Sequence, residues 1–333
     1  MKISGTRFLV TGGTGFIGSG LVRGLLAAGA HVRSLDNDSR GARRRFDGLP
    51  ADQLARLELI AVDIRDAAAV SAAIAGVDSV QHLAYINGTE FFYTRPELVL
   101  EVAVKGMIHV LDGCLAHGVR DLVLASSSEV YQTPPSVPTD ELAPLSVPDV
   151  QNPRYSYGGG KLISELLAIN YGRKHFDRVA IFRPHNCYGP DMGNEHVIPQ
   201  LARRLHELAR HATGTVTLPI QGTGEETRAF VYIDDLVDGV LRIIEHGAPQ
   251  AIYHVGTDVE IAIADLAHAI GRAMGREVEV RPGPLQPGGT PRRCPDIRKL
   301  RALGYAPRVS LEDGLRKTVC WYVDHFENRG TAS

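Results

Sequence analysis

Apolar positions in the first half of the chain follow two alternating rhythms. Short β-branched or leucine-rich runs occur at Phe8-Leu9-Val10, Val32 to Leu35, Leu57 to Val62, Ser79 to Leu83, Leu122 to Ala125 and Val179 to Phe182. Between most of them lie stretches of helical periodicity: Ile17 to Ala28, Ala67 to Ile74, Glu97 to His117 and Lys161 to His175. A strand covered on both faces reads as a continuous apolar run, and its parallel neighbour is reached through a crossover helix. The pattern predicts an α/β fold, a doubly wound parallel sheet of the Rossmann type.

The rhythm breaks between Thr133 and Pro153, where six prolines stand among Asp140, Glu141 and Asp149. That composition predicts a loop, and long loops inside compact domains are usually functional. Beyond residue 184 the alternation turns irregular. A helix is expected over Ile198 to Ala212, then a turn at Gly222-Thr223-Gly224. A strand Phe230 to Ile233 is expected to run into a helix at Asp234-Asp235, where acidic residues suit the N-terminal turn. Gly283 to Pro295, rich in Pro and Gly, should be extended or looped. At 333 residues the chain exceeds what one core usually supports. The expected division is a dinucleotide-binding domain over 1–185 with about 229–255 added. A smaller C-terminal α/β substrate lobe would take 186–228 and 256–330.

Composition narrows the function. With 44% apolar and 22% charged residues the chain is neither disordered nor membrane-spanning, and a formal charge of −2 provides no field for nucleic acid or membrane surfaces. The run Arg43-Arg44-Arg45 reads as a solvated turn. Cys114, Cys187, Cys294 and Cys320 form no CxxC pair, and the histidines form no HExxH or HxH pattern, so neither a disulfide framework nor a metal site is expected. No signal peptide fits the N-terminus, and a cytoplasmic protein is expected.

Residues 8–20 read FLVTGGTGFIGSG. A strand ends at Val10, then Gly12, Gly15 and Gly18 supply a turn before an apolar helix beginning near Phe16. Backbone amides must approach a pyrophosphate closely there, the helix N-terminus favours the anion, and the last Gly lets helix and sheet pack. Asp36 ends the second strand. Its carboxylate can accept both ribose hydroxyls and would repel a 2′-phosphate, which favours NAD over NADP; nearby Arg33 and Arg40 leave NADP open. Asp63-Ile64, at the end of the third strand, is a candidate for the adenine edge.

Tyr157 and Lys161, in SYGGGKLISELLA, stand four apart at the head of a helical segment and so share a face. An ammonium beside a phenol should lower its pKa and make Tyr157 a general base near neutrality. Gly158, Gly159 and Gly160 are poor helix formers, and their presence points to close approach by a ligand. Upstream, ASSSEVY follows the fifth strand, at the edge where such sheets bind ligands. Ser127 can hydrogen-bond a substrate hydroxyl, and Glu129 is a second proton-transfer candidate.

Taken together these motifs resemble the extended short-chain dehydrogenase/reductase family, the NAD-dependent nucleotide-sugar epimerases and dehydratases. The resemblance rests on TGGTGFIGS (11–19), HLAY (82–85), SSSEVY (126–131), YGGGK (157–161), RPHNCYGP (183–190), GTGEETRAFVYIDD (222–235) and PRRCPDI (291–297). It implies that Tyr157 takes a proton from the sugar 4-hydroxyl while hydride leaves carbon 4. Lys161 would hold the ribose and Ser127 the reacting oxygen. The NAD site would add Phe16, Ile17, Leu83, Ala84 and Pro184 to the residues above. The nucleotide-diphosphate sugar would meet Asn186, Arg228 and Arg293, the arginines clamping its pyrophosphate. Tyr85 stands where the family usually has a small residue, and Ala103 where it usually has Asn. Tyr85 and the segment Asn87 to Tyr93 are expected to reshape the sugar pocket.

Ser127-Ser128-Glu129 bears on the branch. Ser128 replaces the Asp that serves as acid in glucose-type 4,6-dehydratases, whereas Glu129 leaves chemistry at carbon 5 open. Four-epimerisation is the expected reaction, with dehydration or decarboxylation through Glu129 as the alternative. A net reductase or a non-catalytic NAD-sensing protein is a further reading. Family members dimerise through the helices equivalent to 97–117 and 158–175, so a homodimer is expected.

Overall fold

The computed structural model describes residues 1–284 and 290–330. The first half alternates as read: β1 (Arg7–Thr11), α1 (Phe16–Ala27), β2 (His31–Asp36), α2 (Ala51–Leu54), β3 (Leu57–Ala61), α3 (Ala67–Ile74) and β4 (Ser79–His82). Then follow α4 (Thr89–Thr94), α5 (Pro96–His117), β5 (Asp121–Ala125), α6 (Ser156–His175) and β6 (Arg178–Pro184). The remainder comprises β7 (Cys187–Tyr188), α7 (Val197–Ala209), β8 (Val216–Pro219), β9 (Thr227–Ala229), β10 (Val231–Tyr232), α8 (Ile233–His246) and β11 (Ala251–Val255). The chain continues through β12 (Glu260–Ala262), α9 (Ile263–Ala273), β13 (Val278–Arg281), β14 (Arg292–Arg293), α10 (Arg298–Arg301) and α11 (Leu311–Gly330).

Seven parallel strands form the central sheet in the order β11-β6-β5-β4-β1-β2-β3. The order reverses between β1 and β4, and ligands bind beyond the strand ends at such a switch point. Leu21, Leu25 and Leu26 of α1 and Leu236, Val240 and Ile243 of α8 cover one face. Val70 and Ile74 of α3 with Val102, Met107, Val110 and Leu111 of α5 cover the other. The ends of α5 are marked in the sequence: Pro96 opens it, and Gly118, at φ +68°, closes it by donating to Cys114 and Leu115 carbonyls. A third core, remote from the sheet, joins Leu201 and Leu205 of α7, Leu218 of β8, Leu266 and Ile270 of α9, and Val319 and Tyr322 of α11.

One expectation needs correction. The strand expected over Phe230 to Ile233 is only the two-residue β10, which pairs with β7; β9 precedes it and pairs with β12 and β14, and α8 already begins at Ile233. The segment from 89 to 94, for which no element was expected, is the short helix α4. Of the segment expected to be extended from Gly283, β14 is a strand, and residues 285–289 lie outside the described residues. Arg43-Arg44-Arg45 forms the expected turn, with Arg43 on Asp38 and the other two on Asp191.

Candidate active site

A cleft of about 840 Å³ opens over the C-terminal ends of β1, β2, β4, β5 and β6. On its β1 side the chain turns without room for side chains. Gly12 takes φ +70°, and a Cβ on it would lie 2.7 Å from the Ala84 nitrogen. A Cβ on Gly18 would collide with the Gly12 carbonyl, so α1 rests directly on the turn. That helix starts at Phe16 from an extended Gly15, with no side-chain cap and no acidic residue in its first turn. Its amide ends therefore face the cleft as an anion site.

Asp36 accepts from the Thr14 amide at 3.1 Å and the Asp38 amide at 2.9 Å, fixing its carboxylate at the end of β2. Asp63 accepts from Asn37 at 3.1 Å and is paired with Arg65, which holds its carboxyl down at about 2. Ile64, Leu83, Ala84 and Pro184 line the same cleft, as do Gly15, Phe16 and Ile17. The two arginines that left NADP open are otherwise engaged. Arg33 reaches Glu58 at 2.7 Å and two carbonyls behind the sheet, and Arg40 pairs with Glu195 at 3.1 Å. A glycine turn, an uncapped helix end and a carboxylate free of cationic partners fit an NAD pyrophosphate and ribose.

The catalytic wall begins where β5 ends. Ser127 is buried and its hydroxyl accepts from the Glu129 amide at 3.1 Å, capping a short turn over Ser128–Tyr131. Ser128 is buried beside it. Tyr157 and Lys161 lie one turn apart on α6, both buried, and both line the cleft. Their electrostatics depart from expectation. Burial against Phe92 and Tyr85, each with its ring centre 5.1 Å away, pushes the Tyr157 phenol up to about 12, and the Ser127 hydroxyl pulls it partly back. Lys161 is not among the groups that shift it; its ammonium donates to the Ala125 carbonyl at 2.6 Å. Burial also presses Lys161 down to about 7, against the opposing pull of Glu165.

Two of the three glycines before Lys161, Gly158 and Gly160, have a reason within the protein itself, whereas a Cβ on Gly159 would meet only Val147 at an ordinary 3.4 Å. A Cβ on Gly158 would meet the Gln132 amide at 2.6 Å and the Glu129 carbonyl at 3.0 Å. One on Gly160 would overlap the Tyr85 hydroxyl. Tyr85 does line the cleft, but its ring lies on Lys161.

The arginines are arranged otherwise than expected. Arg293 forms an ion pair with Glu129, and together with Arg154 and Arg228 it holds that carboxyl below the usual carboxylate range despite the opposing effect of burial. Arg228 lies outside the cleft lining; it donates to the carbonyls of Thr227 at 2.7 Å and Thr290 at 2.6 Å. Asn186 lines the cleft, with its amide donating to the Ala229 carbonyl at 3.0 Å.

Sequence reasoning missed Glu165, buried one turn beyond Lys161 and bonded to Arg183 and Ser126. The signal was present, since Tyr157, Lys161 and Glu165 recur at four-residue steps along one helical face. It also missed the Arg40–Glu195 pair, for which no local pattern exists, whereas Phe92 of α4 lines the cleft within the segment Asn87 to Tyr93 that was expected to shape it.

Residues 8–256 match the model of the NAD dependent epimerase/dehydratase family. The UDP-glucose 4-epimerase of Mycolicibacterium smegmatis is 33% identical, over 97% of this chain and 99% of that one. The dTDP-4-dehydro-6-deoxy-D-allose reductase of Streptomyces bikiniensis is 30% identical, over 97% and 98%. Among solved structures, the dTDP-glucose 4,6-dehydratase DesIV of Streptomyces venezuelae, with NAD and TYD bound, superposes with a TM-score of 0.84 at 33% identity, covering 98% of each chain. Relatives thus include nucleotide-sugar epimerases, dehydratases, decarboxylases and reductases. The glycine turn on an uncapped helix, the Tyr157-Lys161 step and these matches over nearly the whole length agree: the chain belongs to the NAD-dependent epimerase/dehydratase family.

Proposed function

We propose that the chain is a nucleotide-sugar 4-epimerase acting through a transient 4-keto sugar. The observation that carries this reading is the state of the wall around Tyr157. Ser127 and Tyr157 are free to address one oxygen, position 128 offers no acid, and Glu129 is tied to Arg293. Tyr157 takes the proton of the sugar 4-hydroxyl and later returns it, with Ser127 steadying the oxygen in between. Bound NAD supplies reversible hydride acceptance at carbon 4 and is recovered in each turnover. The Lys161 ammonium orients the cofactor's ribose, and Asp36 its adenosine ribose. The sugar nucleotide lies between the sheet domain and the lobe built from 186–228 and 256–330. Asn186 and Arg293 face its phosphates, with Arg293 leaving Glu129 to do so.

Incubation with UDP-, GDP-, dTDP-, CDP- and ADP-sugars, followed by mass spectrometry and NMR, tests this directly. Unchanged mass with inversion at carbon 4, and no net absorbance change at 340 nm, is the expected result. A second reading is favoured by one observation: Glu129 is near enough to Tyr157 for its charge to raise the phenol further. If Arg293 releases it, Glu129 can move the carbon 5 proton, and the product would then be lighter by water or carbon dioxide. A homodimer through α5 and α6 completes the proposal. Leu100 and Leu115 on α5 and Ile163 and Leu166 on α6 are exposed apolar residues. Light scattering that returned a monomer mass would remove that part.

A further inference from the structure

We infer that Tyr85 is a positioning residue for Lys161, laying its ring face against the ammonium from a slot that Gly160 keeps open. The inference needs Lys161 in the NAD site and holds whichever reaction follows.

Three observations converge on it. The Lys161 nitrogen lies 3.8 Å from the centre of the Tyr85 ring, close for a cation over an aromatic face. The Tyr85 hydroxyl is anchored, donating to the Tyr157 backbone carbonyl at 3.1 Å, so the ring has a fixed height along α6. The space for its hydroxyl exists only because Gly160 has no side chain. A Cβ on Gly160 would overlap the hydroxyl and would sit 2.8 Å from the Ala103 Cβ. Gly160 is costly inside a helix, and the slot for Tyr85 accounts for it.

The other groups around Lys161 leave the ring a distinct role. On α6, Glu165 attracts the ammonium but is shared with Arg183 of β6, and Tyr157 presents a neutral phenol. On β4, His82 is held neutral by burial and by Lys161 itself, down to about 3. The Ala125 carbonyl of β5 takes one ammonium proton. Burial works to strip the charge from Lys161. A π face favours the charged form of the ammonium without a counter-charge.

The chain has six lysines, so selective 15N-lysine labelling resolves Lys161 and gives its titration midpoint directly by NMR. Tyr85→Leu keeps the site dry and removes the π face, and is expected to lower the midpoint by about one pH unit. Tyr85→Phe keeps the face and should restore the wild-type midpoint. An unmoved midpoint in Tyr85→Leu, or an equal fall in Tyr85→Phe, overturns the inference. Should Tyr85→Leu not fold, Tyr85→Met removes the π face while keeping a longer apolar side chain in the slot. A fall supports the inference and an unmoved midpoint overturns it. No turnover enters this measurement, so its failure is distinct from failure of the epimerase reading.

Discussion

Arg183 grips Glu165 through two hydrogen bonds, Nε to Oε1 at 2.8 Å and Nη2 to Oε2 at 2.6 Å, with both side chains buried. Glu165 also accepts from the Ser126 hydroxyl, and Arg183 also donates to the Tyr131 hydroxyl and the Glu141 carbonyl. The pair therefore ties β6, α6 and the strand end carrying Ser127 into one polar cluster below the cleft. Glu165→Ala leaves a buried guanidinium without its counter-charge, and a loss of about 3–5 kcal/mol is expected in urea denaturation. Replacing both partners by apolar residues of similar volume, Glu165→Leu with Arg183→Met, should recover most of that loss. A double variant no more stable than Glu165→Ala would argue that the hydrogen bonds, not the unpaired charge, dominate.

Under the proposed reaction Tyr157 works as its phenolate, and burial pushes its pKa up to about 12 before cofactor and substrate enter. The Ser127 hydroxyl lowers that value, so Ser127→Ala should raise it. Because the deprotonated form is active, the rise of rate with pH then moves to higher pH, and the rate at pH 7 falls. Tyr157→Phe removes the base and should cost about 10²–10⁴-fold in kcat with NAD affinity unchanged. A Ser127→Ala profile displaced to lower pH would contradict the assignment.

The parts of this molecule legible in the sequence are the local ones. The runs that became β1, β5 and β6 are apolar because both faces of the sheet are covered there, and a window of a few residues suffices to show it. The Gly12 turn and the four-residue step from Tyr157 to Lys161 are likewise short-range. What could not be read depends on residues far apart in the chain. Arg293 was expected on a pyrophosphate, yet its partner Glu129 lies 164 positions away. Tyr157 was expected at a lowered pKa, but Phe92 and Tyr85 bury it, and Lys161 turns to Ala125. The glycines at 158 and 160 looked like a ligand's imprint and are that of Gln132, Glu129 and Tyr85.

Glu129→Gln separates the two readings of the reaction. Under 4-epimerisation Glu129 moves no proton, and kcat should stay within a few-fold of wild type. Under elimination or decarboxylation the loss should resemble removal of a general base, about 10²–10⁴-fold. The same variant frees Arg293 from its carboxylate partner. A nucleoside diphosphate, probed as UDP and dTDP by calorimetry, should then bind more tightly. Unchanged affinity for both would mean that Arg293 does not reach the phosphates.

Lys161 gives the chain a pH-dependent stability whose sign is opposite to that of a surface lysine. In the unfolded chain its ammonium titrates near 10.4. In the fold, burial lowers it to about 7. Between those values the unfolded state binds more protons than the folded state, so the free energy of unfolding rises with pH. Below about pH 7 both states carry the proton, and the full penalty of a buried charge is present. Above 10.4 neither does, and the penalty is gone. Urea denaturation should therefore show the wild type gaining stability from pH 7 to pH 9. Lys161→Met, which removes the charge and keeps the aliphatic stem, should be more stable than wild type at pH 7 and lose that share of the pH slope. If Lys161 holds the cofactor's ribose as proposed, bound NAD would oppose the trend, since a ribose hydroxyl on the ammonium would favour its charged form and narrow the gap between the two states. Saturating NAD is thus expected to flatten the wild-type slope and leave that of Lys161→Met unaltered. A slope identical in both proteins would show that Lys161 titrates in the fold as it does in the open chain.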